Sequence, residues 1–443
     1  MTRLIAPVTE DAPCVAVYRE LRDGVSRASS QIGYGYNLYP AAGAVHRFLH
    51  RALTTSARTG RLHEYGTAHD AHDRALAAAL AGAYLGLDLD EAQIVFTAGA
   101  TEGIGLVTRW LAACDAGLLL PAPCYYAFEQ TPRRWGGAVV GRYRHDGTLH
   151  PTGDTASHTA LVEIFPNGVT GTLYTPPPCE ADFRLVDIVF LAGGTGPHPH
   201  QVTHQVRATL DGRITDTAVL MTPSKDLCVP GLRPGLLISG SPSLAEAARD
   251  DIFDRTASAS PLAGQLVLLY LTVLLLAEAA HEPGPHAFEH RYRWIVQQYA
   301  RHGVDTVPSE AVCRSVVGHL DAMSRHFANG FDLLTKHADD LLETGDHLRP
   351  VSGYSLLPRL NVDLDDPAES IAWINAVGRQ FQLKLNPQLL FGGTKQSWHA
   401  LSPGAPRIRV NLSVPHDGLL TTLDLLREAH RGVVLPQSRT EAA

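Results

Sequence analysis

The sequence predicts an α/β protein: a large domain on a mostly parallel seven-stranded sheet covered by helices, followed by a smaller α+β C-terminal domain. Short apolar, β-rich runs recur through the first half of the chain, and several are continuous rather than alternating, as expected of strands buried on both faces. Helical patterns separate some of these runs, and strand–helix–strand repeats imply parallel pairing. In the second half long helical stretches dominate, broken by two strand-like segments.

The chain has 443 residues, more than one typical domain. It divides into an N-terminal segment (1–50), a large domain (51–290) and a small domain (291–443). Strands are read at 94–97, 117–120, 138–140, 160–165, 186–190, 218–221 and 236–239, with helices at 72–85 and 101–113. The most apolar run, 266–280, contains Glu278. At about 15 residues it is short for a membrane span and reads as a buried helix. The last third offers "GYSLLPRLNVDL" (353–364), a helix over 367–381, the strand-like "PRIRVNLSV" (406–414) and a final helix over 417–431. The tail "LPQSRTEAA" reads as frayed.

Composition narrows the function classes. Hydrophobic residues are 45% and charged residues 19%, ordinary globular values. The net charge of −8 is spread along the chain and leaves no basic footprint for nucleic acid. The 22 histidines are scattered without HExxH spacing, and Cys14, Cys114, Cys124, Cys179, Cys228 and Cys313 form no CxxC pair, so neither a metal site nor a disulfide framework is expected. The N-terminus lacks the pattern of a secretory signal. A soluble, cytoplasmic protein with no membrane partner is the expectation.

Ligands of open α/β sheets sit at the C-terminal ends of the strands, and residues able to do chemistry fall there. "FTAGATEGIG" leaves a strand, turns through Gly99 and opens a helix at Ala100 and Thr101, an arrangement that presents free N–H groups to an anion. An ordinary βα turn has the same pattern. "PAPCYYAF" places Tyr125 after the next strand. Asp187 lies in an apolar strand, where a lone carboxylate is costly without a cationic partner. "MTPSKDLCVPGLRPG" then sets Thr222, Ser224 and Lys225 after one strand and Arg233 at the start of the next. Lys225 taken alone reads as a solvated loop residue. Taken together, an anion cradle, a flat aromatic, a buried carboxylate, a lysine and a second cation match the needs of pyridoxal 5′-phosphate, whose aldehyde condenses with a lysine.

The ordered set resembles the fold-type I pyridoxal-phosphate enzymes, specifically the class I/II aminotransferase group. The family's lysine segment appears as Ser224-Lys225 followed by Gly231-Leu232-Arg233-Pro234-Gly235. Its phosphate turn appears as Thr97-Ala98-Gly99-Ala100-Thr101-Glu102, its aromatic segment as Pro123-Cys124-Tyr125, its upstream Tyr-Gly as Tyr65-Gly66 and its late arginine as Arg409. The resemblance implies that Lys225 forms the Schiff base and moves the Cα proton of an α-amino acid. It further implies that Asp187 pairs with the pyridine nitrogen, that Tyr125 stacks on the ring, and that Gly99, Ala100, Thr101, Thr222 and Arg233 hold the phosphate. Tyr65 would reach the phosphate of a second subunit, which implies a homodimer with shared active sites. Arg409 would grip the substrate carboxylate, with Arg407 as its rival. Tyr34, Tyr36 and Asn37 in "GYGYNLYP" either line the pocket or pack the small domain.

The chain departs from the pattern in two places. "FPNGVTG" puts Gly168 where the family has an asparagine that contacts the cofactor's phenolic oxygen, with Asn167 one place early. Phe190 stands where the family has a tyrosine for the same oxygen. The connection "TLYTPPPCEADFRL" is too rich in proline for a crossover helix. His198 and His200 in "GPHPH" read either as acid/base groups or as a surface turn. Aminotransferase-like chemistry leads. The alternative is a specialised-metabolism enzyme that uses the same proton abstraction for elimination, replacement, cyclisation or decarboxylative deamination. A non-catalytic cofactor-binding protein is disfavoured by the retention of Lys225, Asp187 and Arg233.

Overall fold

The computed structural model describes residue 19 and residues 32–63, 67–191, 201–212, 214–256, 260–362, 364, 366–392 and 406–433. Tyr65, His198 and His200 lie outside the described residues.

An eight-stranded sheet forms the centre of the molecule. In chain order its strands are β1 (Ile94–Ala98), β2 (Ala116–Pro121), β3 (Val139–Tyr143), β4 (Leu149–Pro151), β5 (His158–Ile164), β6 (Phe183–Asp187), β7 (Thr217–Met221) and β8 (Pro234–Ser239). Their spatial order is β1-β8-β7-β6-β5-β2-β3-β4. The run β7-β6-β5-β2-β3 is parallel, whereas β8 lies antiparallel between β1 and β7 and β4 is an antiparallel edge. Every residue of β2, β7 and β8 is buried, which explains their unbroken apolar runs.

Three details differ from the sequence reading. β4, too short and mixed to carry a strand signal, is an eighth strand. β6 ends at Asp187, so Ile188, Val189 and Phe190 are not strand. They are buried in the core by the loop beyond it, and apolar continuity therefore overshoots the strand. In 353–364 only Ser355–Leu356 is a strand, because Pro358 interrupts the ladder and leaves Arg359 and Leu360 in isolated bridges. The connection from β5 to β6 contains no helix, as its prolines require.

Helix Pro261–His281 is long and apolar enough to cross a membrane, but 83% of its most apolar window is buried inside the protein. It packs against helices Thr67–Leu85, Ala287–Arg301 and Glu310–His337 and against β8. Its apolar character all round is that of a core helix.

The second sheet is small and antiparallel: β11 (Ile408–Asn411) lies between β9 (Ser355–Leu356) and β10 (Asn386–Pro387). Ile408 and Val410 enter the core on one face, and the same alternation turns Arg409 and Asn411 toward the N-terminal segment. That segment runs as a strap from Ile32 to Ala42. It is tied at Ile32, whose carbonyl accepts from the Asn411 N–H (2.8 Å), and at Leu38, whose N–H donates to Ser413 Oγ (2.8 Å).

Candidate active site

The ends of β6 and β7 meet the strap. Asp187 closes β6 opposite Leu220 of β7, and Lys225 follows four residues after β7 ends at Met221. Asp187 is buried, and its carboxylate accepts a hydrogen bond from the Val189 N–H (3.2 Å). Burial pushes its pKa up to about 7, against that hydrogen bond and the pull of Lys225. Burial also brings the Lys225 ammonium down to about 8, assisted by Arg409 and Arg233 and opposed by Asp187. Among the described residues no cation closes an ion pair on Asp187.

The loop that presents Lys225 is rigidly held. Thr222 Oγ1 donates to the Pro234 carbonyl (2.5 Å) and lies 2.8 Å from Ser224 Oγ, and both residues are buried. The next residue, Asp226, accepts hydrogen bonds from Tyr270 Oη and from the Leu191 N–H (3.2 Å), which fastens the lysine loop to the core helix and to the loop after β6. Asn37 Nδ2 donates to the Lys225 carbonyl (2.8 Å).

The anion cradle is compact. Gly99 caps helix Ala100–Ala113 with φ of 83°, and a Cβ there would lie 2.7 Å from the Arg233 guanidinium. Arg233 itself has φ of 52° and donates to the Ala98 carbonyl (3.2 Å). Gly235 packs so closely on this turn that a Cβ would approach Gly99 Cα to 2.7 Å. Glycine is required on both sides because an arginine and a helix start share the space. The first N–H groups of the helix face outward with its positive dipole end, and Thr101 Oγ1 lies 3.4 Å from Tyr125 Oη.

Asn167, a candidate for the cofactor's oxygen, lies at the turn after β5. It is fully buried, its Nδ2 donates to the Pro123 carbonyl (2.6 Å), and its Oδ1 accepts from the N–H groups of Val169 (2.9 Å) and Thr170 (3.3 Å). Its Oδ1 thus closes the turn after β5, while its Nδ2 ties that turn to the loop after β2. The two departures from the family pattern touch one another: a Cβ on Gly168 would lie 2.6 Å from Phe190 Cε2. The Phe190 ring also closes on Gly353 and meets Tyr354 edge-on with centroids 5.5 Å apart.

On the small-domain side Arg409 is buried, and its Nη2 donates to the Gly33 carbonyl (3.0 Å). The guanidinium lies 4.7 Å from the Phe391 ring centroid, its Nε finds no acceptor among the described residues, and burial lowers its pKa to about 10. Arg407, by contrast, is ion-paired with Glu343 (2.9 Å). The strap's carbonyls take the site's donors: Lys225 Nζ donates to Gly35 O (2.7 Å), Tyr354 Oη to Gly35 O (3.2 Å), and Asn411 Nδ2 to Tyr34 O (3.0 Å) and Tyr36 O (2.9 Å). Tyr34 and Tyr36 stack with centroids 5.0 Å apart. Sequence reasoning misses Lys384, Asn386, Tyr354, Phe391 and the Asp226–Tyr270 contact, because each reaches the site through long-range packing that carries no local motif.

No family model matches the sequence, and no curated protein sequence matches it. Solved structures do. A double mutant of Thermus thermophilus aspartate aminotransferase superposes with a TM-score of 0.61 at 14% identity, covering 95% of this chain and 97% of that one. A probable N-succinyldiaminopimelate aminotransferase, also from Thermus thermophilus, gives 0.62 at 16% identity, covering 94% and 99%. A Methanococcus jannaschii protein whose active site is similar to kynurenine aminotransferases gives 0.58 at 15% identity, covering 94% and 95%. The chain therefore shares the fold of these aminotransferase structures over nearly its whole length.

Proposed function

We propose that the protein is a pyridoxal-phosphate-dependent enzyme that binds an α-amino acid and removes its Cα proton, in the manner of an aminotransferase. The observation that carries this reading is the pairing of a buried, unneutralised Asp187 with a buried Lys225 at neighbouring strand ends, beside a glycine cradle that holds Arg233. Asp187 fits the ring nitrogen, Lys225 the aldehyde, Tyr125 the ring face, and Arg233 with the Gly99–Thr101 N–H groups the phosphate. When bound, the group would supply an electron sink for the bond broken at Cα.

The chain's own residues supply the rest. Arg409 fits the α-carboxylate, and its lack of an acid partner among the described residues supports that role over a structural one. Lys225, with a pKa lowered to about 8, is suited to take and return a proton near neutrality. Gly35 is pressed against Arg409, where a Cβ would lie 2.6 Å from Nη2, so the strap fixes the arginine from one side and shields it from water. A second copy covering the exposed Tyr36, Tyr126 and Leu232 would complete the site as a homodimer.

The apolar contact of Phe190 with Gly168 supports a second reading, in which the proton removal serves elimination, replacement, cyclisation or decarboxylative deamination rather than amino transfer. Borohydride reduction of the yellow protein should fix the cofactor to the Lys225 peptide. A label elsewhere, or none with cofactor added, would overturn the proposal. Product analysis of an amino-acid panel with and without a keto acid separates the two fates: turnover that requires the keto acid selects transamination.

A further inference from the structure

The downstream end of the strap rests on a pair of histidines. Helix Glu310–His337 turns His319, Met323 and His326 to one side, and Tyr39 of the strap lies across them. The Tyr39 ring centroid is 5.2 Å from that of His319 and 5.1 Å from that of His326. His326 is backed by His416, the first residue of the final helix (His416–Gly432). The two imidazoles are parallel within 4°, with centroids 4.2 Å apart. Each is aimed by a carbonyl: His326 Nε2 donates to Val414 O (2.9 Å), and His416 Nε2 donates to His326 O (3.0 Å). A carbonyl only accepts, so both rings carry a proton on Nε2, and a further proton enters at Nδ1 and makes a cation.

The histidines reach the lysine loop through Asn37. Its Nδ2 donates to the Lys225 carbonyl (2.8 Å) and lies 3.1 Å from Sδ of Met323, between the two histidines, while its Oδ1 accepts from the Tyr39 N–H (3.0 Å). Leu38 N–H is held by Ser413 Oγ, one residue before the Val414 that orients His326. A Tyr39 that lifts off the histidines draws Asn37 from the lysine loop. Burial holds half-buried His319 below the ordinary imidazole pKa, against the Pro40 carbonyl. Burial, with His416 beside it, does the same to His326, against the Val414 and Ser413 carbonyls. Among the described residues His416 is the one charged partner that acts on either ring. The helices packed on this one, Gly43–Arg58, Pro261–His281 and His416–Gly432, bring no carboxylate to them. On the same helix Asp321 and Arg325 are exposed, and the residues one turn from His326 are Ala322, Met323, Asn329 and Gly330. Two stacked imidazolium rings repel, so protonation opposes closure.

We propose that this cluster is an acid-opened latch: neutral His326, stacked on His416, seats Tyr39 and keeps the strap closed, and protonation releases residues 37–40 from the Lys225 loop. With the strap closed the ring pKa lies below its open value. Closure is therefore fully favoured above the ordinary imidazole value of about 6.5 and weakens as pH falls below it. The latch stands on the strap's own contacts, and only its consequence, access to Lys225, rests on the proposed function.

Hydrogen exchange of the full chain, corrected for the intrinsic pH dependence of amide exchange, reads the Leu38 and Tyr39 N–H groups. From pH 7.5 to 5.5 the protection of residues 33–39 should fall about tenfold, the yield of one proton taken up on opening over one pH unit, while the amides of β7 stay protected. His416→Gln removes the stacked ring and leaves the His326–Val414 bond in place. It should cut the fall to about threefold or less. His326→Gln, whose amide can still donate to Val414, should do the same, so either variant that folds carries the test. Residues 1–31 contain Glu10, Asp11, Glu20 and Asp23, which are common to all three chains and cannot produce the difference. No pH-dependent loss in the wild type, a loss that the variants retain in full, or a loss shared by β7 would overturn the inference. Borohydride labelling keeps the two claims apart. A strap that opens with acid in a chain that takes no label upholds the latch and sinks the cofactor reading, and a labelled Lys225 under an acid-insensitive strap does the reverse.

Discussion

The two halves of the site are built by different means. At the strand ends of the large sheet, Arg233, Asp187 and the loop that carries Lys225 are set by near neighbours in sequence or on adjacent strands: Thr222 with Ser224 and Pro234, Gly99 with Arg233, Asp187 with Val189. Lys225 itself also meets the strap at Gly35 and Asn37. On the small-domain side, Arg409, Asn411, Asn386 and Tyr354 are held by carbonyls of a strap more than three hundred residues away. Local motifs therefore build most of the proposed cofactor end, and long-range backbone contacts build the proposed substrate end.

The sharpest break in that division should come from Arg409. Its removal takes away a desolvated, two-pronged carboxylate contact, so Arg409→Ala should weaken amino-acid binding by about 2–5 kcal/mol, roughly 30- to several-thousand-fold. The band of the bound cofactor should persist, because no cofactor contact is touched, with only its pH dependence shifted upward by the loss of the Arg409 charge near Lys225. Spectral titration with amino acid checks both. A lost cofactor spectrum would mean that the two halves are one unit.

The cofactor end should reveal itself through pH. Asp187 has a folded pKa of about 7, well above its unfolded value, so the folded cofactor-free chain binds the extra proton between these values. Stability contributed by this group is then fully present below the unfolded pKa and is lost as pH rises toward 7. The span corresponds to a cost on the order of 2–4 kcal/mol at neutral pH. Lys225, lowered to about 8, titrates above that window and has the opposite sign: its contribution grows as pH rises above 8. Thermal melts of the cofactor-free chain against Asp187→Asn should converge at pH 4 and separate toward pH 7, with the variant the more stable. Parallel curves would place Asp187 outside the site's charge balance.

Legibility follows the same division. The sheet's parallel core, Lys225, Arg233 and the Gly99 turn are readable because continuous apolar runs and closely spaced motifs encode them. The end of β6 is not, since Ile188, Val189 and Phe190 are as apolar as a strand but serve the core from a loop. Lys384 in "QLKLNP" has no signal of its own, and only the fold brings it over Tyr34. The contact between Gly168 and Phe190 is also hidden, although both departures are visible separately.

That contact offers a smaller test within the cofactor half. Gly168→Ala places a methyl group where Phe190 Cε2 lies 2.6 Å away, and Phe190 is itself confined by Gly353 and Tyr354. Overpacking should cost about 1–3 kcal/mol in denaturant unfolding. Phe190→Leu should recover part of that cost in the double variant, since the leucine lacks the outer ring atoms. Strict additivity of the two substitutions would mean that the ring yields freely and that the two departures are independent.

The smallest expected effect addresses how the halves communicate. Gly35 O accepts from both Lys225 Nζ and Tyr354 Oη, so one strap carbonyl joins the cofactor end to the small domain. In the cofactor-free chain, Tyr354→Phe removes one of two donors, and Gly35 O stays satisfied by Lys225. The loss should be about 0.5–1.5 kcal/mol, the ordinary net worth of a hydrogen bond. Once Lys225 is committed to the cofactor, its donation to Gly35 ends and Tyr354 becomes the remaining side-chain donor there. The same substitution should then cost more, and the difference should localise to the strap. Amide exchange of residues 33–37 in wild type and Tyr354→Phe, with and without pyridoxal phosphate, measures it directly. Faster exchange in the loaded variant alone would mean that cofactor attachment and strap closure share the Gly35 carbonyl. Equal exchange in all four states would leave the strap held by Asn411 and Arg409, with no link from Lys225 to the substrate side.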